Sequence, residues 1–207
     1  MEYLDIYDEN GTYLGQEDRN IVHRDALWHN TVHCWLYDKK GNIYFQIRKD
    51  EKKLYTTASG HIQAGESIKQ GFGREIQEEI GIFVETDKAT LIDVHTYQMD
   101  LTKKNGTLFR DRAFVNLYAY DFEGNIADFA FDENEIDGLV KINAHDTMQL
   151  FHKELPEIHG CMIKKEGNQN IEMHKTITEE DFLLCNGENL IGKYGTVLNK
   201  VIELTQD

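Results

Sequence analysis

Proline occurs once in the 207 residues, at Pro156, and cysteine three times, at Cys34, Cys161 and Cys185. With a single proline there is no proline-rich tract, and no other low-complexity segment or internal repeat is present. Three cysteines, odd in number and widely spaced, make neither a disulfide framework nor a CxxC metal knuckle, so a reducing cytoplasm is the expected compartment. No apolar run approaches the ~20 residues needed to cross a bilayer. The opening Met1-Glu2-Tyr3-Leu4-Asp5 is not basic and then apolar, so no signal peptide is expected. Positive charge is scarce: 22 Lys and Arg stand against 37 Asp and Glu, for a net charge of −15. That deficit argues against a broad surface for nucleic acid or anionic membrane, because both would be repelled. A polyanionic substrate would need local cations, supplied by a Lys/Arg cluster, a metal ion or both.

What is present is a globular composition, 40% apolar and 11% aromatic, long enough for one domain with an appendage. Residues 2–15 read as a small hairpin turning at Asn10-Gly11. A second hairpin is expected from strands at 31–37 and 43–48, both rich in β-branched and aromatic residues, across Asp38-Lys39-Lys40-Gly41. A helix follows. Ser67 and Gln70 have capping-box spacing, Gly81 is a C-terminal stop, and Ile68, Phe72, Ile76 and Ile80 recur every fourth residue. Gly71 and Gly73 cost that helix about 1 kcal/mol each relative to Ala, which points to close backbone approach there. Strands are expected at 91–97, 108–120 and 138–142, with a turn at 103–106. Beyond residue 145 the pattern reads as helical, with a short helix stopping before Pro156 and an amphipathic final helix from Leu190. The expected organisation is a hairpin and lead-in at 1–24, a mixed α/β domain at 25–143 and a helical extension at 144–207.

The chemistry concentrates in residues 60–82. Glu75 and Glu79 are four apart on the helix and project from one face, Glu78 approaches from the flank, and Glu66 lies just before the first turn. Such a cluster repels itself, and Arg74 is the one adjacent cation. A hard divalent ion with oxygen ligands, Mg²⁺ or Mn²⁺, would hold it together and borrow oxygens from substrate phosphates. A bare E-x-x-E-E run is more often a solvated helix face, but the surrounding spacing is specific.

Gly60, Glu66, Arg74, Glu75, Ile76, Glu78, Glu79, Gly81 and Ile82 meet every fixed position of G-x5-E-x7-R-E-U-x-E-E-x-G-U, where U is aliphatic. The segment therefore resembles the Nudix box. The resemblance implies an α/β/α sandwich with a mixed sheet and hydrolysis of a nucleoside diphosphate derivative or related diphosphate. It implies Glu75 and Glu79 as main metal ligands, Glu78 as a further one, the Ser59 carbonyl completing the set, and Arg74 orienting the glutamates. The base that activates water often lies outside the box in this family. Glu135 is the first choice, Glu133 the second, with Glu78 or Glu79 as alternatives.

A narrower likeness is to the branch related to isopentenyl-diphosphate isomerase. His23, His29 and His61 stand near that enzyme's histidine metal ligands, and Arg48 with Lys52 resembles its diphosphate-binding pair. The histidines are metal ligands or packing residues. The isomerase itself is disfavoured, because Ser59 occupies its cysteine position and Arg110-Asp111-Arg112 puts guanidinium groups where its later carboxylates are expected. Arg110 and Arg112 share a strand face as phosphate anchors or as a solvated surface. The expectation is an isomerase-like Nudix hydrolase acting on a small-molecule diphosphate. The alternatives are isomerase-like activity and a binding module without turnover. The final helix packs on the domain or on a second copy of the chain, making a homodimer.

Overall fold

The computed structural model describes residues 2–102, 106–184 and 187–206. The expected turn at 103–106 therefore falls mostly outside the described residues, as does Cys185. In chain order the elements are β1 (Tyr3–Tyr7), β2 (Tyr13–Asp18), α1 (Arg19–Asp25), β3 (Trp28–Tyr37), β4 (Asn42–Arg48), β5 (Leu54–Tyr55), β6 (Ala58–His61), α2 (Ile68–Ile80), β7 (Thr90–Thr102), β8 (Leu108–Asp121), β9 (Ile136–Asn143), α3 (Ala144–Phe151), β10 (Ile158–Glu166), β11 (Gln169–Ile177) and α4 (Leu190–Leu204).

The strands join into one mixed sheet. Its backbone order is β11-β10-β9-β4-β3-β1-β2, with β8 pairing parallel to β3 and antiparallel to β7. The expected β3–β4 hairpin has its turn, closed by Gly41 N–H donating to the Asp38 carbonyl at 3.0 Å. The two strands, however, pair only at Tyr37–Ile43. The chain that follows β4 enters between them, β5 pairing with β4 and β6 with β3. The hairpin opens like a V, and this opening makes the cleft.

Alternation along β3 divides the interior. Val32, Cys34 and Leu36 pack with Phe72, Ile76 and Ile80 of α2 on one face. Trp35 packs on the other face with Phe45, Tyr194, Val197 and Leu198, beneath α3 and α4. Each fully buried α2 side chain contributes about 1.5–3 kcal/mol, enough to offset its two internal glycines. Those glycines have a packing reason. A Cβ on Gly71 would lie 2.3 Å from Ile62 Cδ1, and one on Gly73 would lie 2.8 Å from Thr86 Cγ2.

The extension after residue 144 is not purely helical. β10 and β11 form a nine-pair antiparallel hairpin that continues the sheet from β9 through Cys161–Lys141, Met162–Val140 and Ile163–Leu139. These strands carry Lys, Glu, His and Met, residues with weak strand preference, and they form because β9 offers an unpaired edge. The legible signal was the two-residue Gly167-Asn168 loop, with Gly167 at φ +61°. α4 ends the fold by packing on the domain itself, with Tyr194, Val197, Leu198 and Val201 buried.

Candidate active site

α2 begins with both halves of the capping box, Ser67 accepting from Gln70 N–H and Gln70 accepting from Ser67 N–H, and stops at Gly81 in the left-handed conformation. Its buried face carries Phe72, Ile76 and Ile80, but also Glu75 and Glu79, which are only 9% and 6% exposed. Two carboxylates enter this packed face because β6 leaves room for them. Gly60 lies so near that a Cβ there would meet the Glu75 carboxylate at 2.2 Å.

Arg74 ties the cluster together. Its Nε and Nη2 donate to the two oxygens of Glu66 at 3.0 and 2.9 Å. Nη1 donates to Glu75 at 2.6 Å and to Glu78 at 3.0 Å, and Nη2 also reaches the His61 carbonyl at 2.8 Å. Burial opposes its charge, but bonds and charges from Glu66 and Glu75 win and hold the guanidinium more basic than usual. Arg74 thus bonds Glu66, Glu75 and Glu78 directly.

Glu79 accepts from Ser59 N–H at 3.2 Å and from Gln46 Nε2 at 3.0 Å. Burial pushes its carboxyl up to about 8, against the Ser59 bond and with help from the charges of Glu75 and Glu135. Burial also raises Glu75, although Arg74 opposes the shift. Adjacent buried acids held above their ordinary range are arranged at a cost that a divalent cation would remove. The residues present therefore fit an Mg²⁺ or Mn²⁺ ion. Glu78 differs, with its side chain 58% exposed and turned to Arg74.

A cleft of about 890 Å³ opens beside Glu79 between the arms of the V. Of the expected outer residues, Ser59, Arg48 and Glu135 line it. Glu133 does not, since its carboxylate pairs with Lys165 at 3.1 Å. Lys52 is also elsewhere, paired with Asp137. Arg110 donates to the Arg24 carbonyl, and Arg112 pairs with Asp100 at 2.7 Å and donates to the Met99 carbonyl. Strand alternation sends both arginines away from the cleft and turns Asp111 into it. The expected guanidinium-for-carboxylate replacement thus does not hold in space. Cleft residues that sequence reasoning missed include Arg19, Lys49, Gln46, Thr56 and Lys193. They come from four separate segments, Gln46 and Lys49 lying at the end of β4 and just beyond it, and no local spacing links the four.

His23, His29 and His61 do converge. One ring nitrogen from each lies within 4.8 Å of the others. His23 and His61 approach Nε2 to Nε2 at 3.1 Å, while His29 Nδ1 lies 3.1 Å from the Leu27 carbonyl. Burial lowers all three pKa values, that of His61 to about 2, so the rings are neutral at physiological pH. His29 Nε2 is 3.4 Å from Asp111 Oδ1, yet neither atom has a hydrogen-bond partner. Neutral imidazoles with a carboxylate beside them are also a donor set a transition metal could use.

The chain is similar to known proteins in sequence. A family model described as the NUDIX domain matches residues 27–164. An uncharacterized Nudix hydrolase from Clostridium acetobutylicum is 28% identical over 98% of both chains. Another, from Yersinia pestis, is 33% identical over 40% of this chain and 48% of its own. A crystal structure of a Deinococcus radiodurans protein aligns with 72% of this chain and 88% of its own, at 20% identity and a TM-score of 0.49.

Proposed function

Because the chain belongs to the Nudix family, we propose that it is a metal-dependent diphosphohydrolase, cleaving the diphosphate of a small organic substrate by attack of water at phosphorus. The observation that carries this reading is the buried pair Glu75 and Glu79, both with raised pKa values, beside an open cleft. Mg²⁺ or Mn²⁺ would neutralise charge developing on the phosphate oxygens and acidify a bound water. Glu75 and Glu79 would hold the ion, with the Ser59 carbonyl beside them. Glu78, on the exposed flank and paired with Arg74, would serve as a further ligand. Glu135 receives the proton of the attacking water, a role supported by its place in the cleft and its charge acting on both glutamates. Arg74 keeps Glu66, Glu75 and Glu78 in register.

Arg48 and Lys49 line the cleft, and they bind phosphate in a chain whose overall field is repulsive. Lys52, Arg110 and Arg112 are left out of this role because none of them lines the cleft. No helix among the described residues is long and apolar enough to cross a membrane. Free thiols at Cys34 and Cys161 suit a reducing cytoplasm. The test is release of phosphorylated products from nucleotide sugars, dinucleotides, nucleoside triphosphates and prenyl diphosphates with Mg²⁺ or Mn²⁺. Glu79→Gln should lower turnover at least 100-fold. A variant as fast as the parent would remove the mechanism.

A second reading, proton transfer at carbon in an allylic diphosphate, gains from one observation: Asp111 lines the cleft with His61 and stands 3.4 Å from His29. Deuterium uptake by isopentenyl diphosphate in deuterated water would support it, and its absence would remove it.

A further inference from the structure

The hydrolytic chemistry draws on α2 and the cleft beside it, and it leaves the β10–β11 hairpin without a role. The register of that hairpin pairs His159 with Thr176, Cys161 with His174 and Ile163 with Glu172. Alternation puts all six on one face of the sheet. None of them lines the cleft. Ile163 packs in the same cluster as Phe72 and Ile76, Cys161 lies at the margin of that cluster, and His159 and His174 are exposed. One sheet face thus holds two imidazoles, a thiol and a carboxylate as neighbours.

The register also brings three of them within reach of one ion. The Gly167-Asn168 loop has two residues, so its flanking pair Glu166–Gln169 is of the hydrogen-bonded kind, and the pairs alternate from there. Counting back makes Cys161–His174 a non-hydrogen-bonded pair, with Cα atoms about 4.5 Å apart and side chains close together. His159 stands two residues along the strand from Cys161, about 6.6 Å away. Its ring already rests on that of His174, with 4.9 Å between centroids. The Cys161 thiol is turned to its other diagonal neighbour, Glu172, and is hydrogen-bonded to it. In this arrangement the three donor atoms are not gathered at one point. Rotation of the Cys161 side chain toward His174 is the change that gathers them, and it leaves the strand pairing intact.

We propose that His159, Cys161 and His174 form a metal site separate from the glutamate cluster, for a borderline-soft ion such as Zn²⁺, with Glu172 or water as the fourth ligand. Two imidazoles and a thiolate favour such an ion over Mg²⁺ or Mn²⁺, which choose oxygen donors. Bonds of about 2.3 Å to sulfur and about 2.0–2.1 Å to nitrogen suit this spacing of strand positions. Burial, then the charge and hydrogen bond of Glu172, raise the Cys161 thiol, while Lys141 opposes them from the paired position on β9. The metal-free thiol is therefore protonated. Binding replaces the S–H bond by a metal–sulfur bond and releases the proton to water. The ligands come from both strands of the hairpin, so the ion staples β10 to β11 at the end of the sheet.

The test titrates reduced, metal-depleted protein with Co²⁺, whose thiolate complexes show a sulfur-to-metal charge-transfer band that oxygen and nitrogen ligands do not give. The parent should develop that band stoichiometrically, and lose it to Zn²⁺ but not to excess Mg²⁺. Cys161→Ser should abolish the band and Cys185→Ser should keep it. Cys34 is fully buried, with its thiol on the Phe72 carbonyl, and is not a competing ligand. His159→Gln and His174→Gln should each weaken Co²⁺ binding by about tenfold or more, at least the loss that follows removal of an outer partner. Both histidines are exposed, so these variants test the site even where Cys161→Ser perturbs folding, which circular dichroism without metal reports. Zn²⁺ should raise the melting temperature of the parent more than that of Cys161→Ser. No band in the parent, a band of full strength in Cys161→Ser, or binding indifferent to both histidine substitutions overturns the proposal. Glu79→Gln should show the parent's band, so the site stands or falls apart from the hydrolytic reading.

Discussion

A Cβ on Gly60 would lie 2.2 Å from the carboxylate carbon of Glu75, so the missing side chain of one residue is the space occupied by the other. The contact explains how an acidic side chain sits 9% exposed on the packed face of α2. It also explains why a glycine begins the motif twenty residues before that helix ends.

Gly60→Ala should therefore displace Glu75 or push α2 off β6. The expected loss is about 1–3 kcal/mol of stability, as for an overpacked site, together with most of the metal-dependent turnover. Urea unfolding and initial rates measure both. A variant with the parent's stability and rate would mean that helix and strand are not in this contact.

Arg74→Lys keeps the charge and loses the fork that grips both oxygens of Glu66 while bridging Glu75, Glu78 and the His61 carbonyl. A lysine cannot reproduce those donors. Stability should fall by about 1–3 kcal/mol, and Mn²⁺ affinity should fall with it because Glu75 is no longer held. Calorimetry of Mn²⁺ binding is the check, and unchanged affinity would show that Arg74 does not position the ligands.

Glu79, raised to about 8 by burial first and by Glu75 and Glu135 next, carries a proton at pH 7 in the metal-free protein. A cation must displace that proton. Mn²⁺ affinity should rise about tenfold per pH unit up to about pH 8 and then level. The stability sign is the reverse. A folded pKa above the unfolded value gives stability that is full below the ordinary carboxylate range and is lost as pH climbs through about 8. Glu79→Gln should thus make the metal-free protein more stable at pH 8 and make the pH dependence of metal binding shallower, Glu75 still having to lose its proton. Titrations between pH 6 and 9 in two buffers report the released proton.

His61 and His33 are held down to about 2 and about 3, both chiefly by burial. Lowered folded values mean that the unfolded chain takes up protons first. Their stability is full above about pH 6.5 and is lost as pH falls from there toward the folded values, by at most about 1.4 kcal/mol per pH unit for each ring. Melting temperature of the metal-free protein should drop on acidification from pH 7 to 5. A His33→Gln variant should show a shallower drop. A flat profile in the parent would mean that these rings are not desolvated.

The sequence by itself determined helix α2. Ser67, Gln70 and Gly81 set its ends, the Ile68-Phe72-Ile76-Ile80 stripe set its buried face, and i, i+4 spacing put Glu75 and Glu79 on one side. These are local relations within a few turns of chain, and local spacing can be read without knowing the fold. Only the tertiary structure decided the rest. The V between β3 and β4 exists because β5 and β6 enter it, and nothing in either strand encodes that insertion. Asp111 faces the cleft, while Arg110 and Arg112 turn away, because pairing of β8 with β3 and β7 set which face of β8 looks inward. A one-residue change of register would have reversed all three. The histidines at 23, 29 and 61 meet for the same reason, and the polar hairpin after residue 157 becomes sheet only because β9 left an edge for it. Side-chain type is written in the chain, whereas the partner a side chain meets across tens of residues is settled by packing.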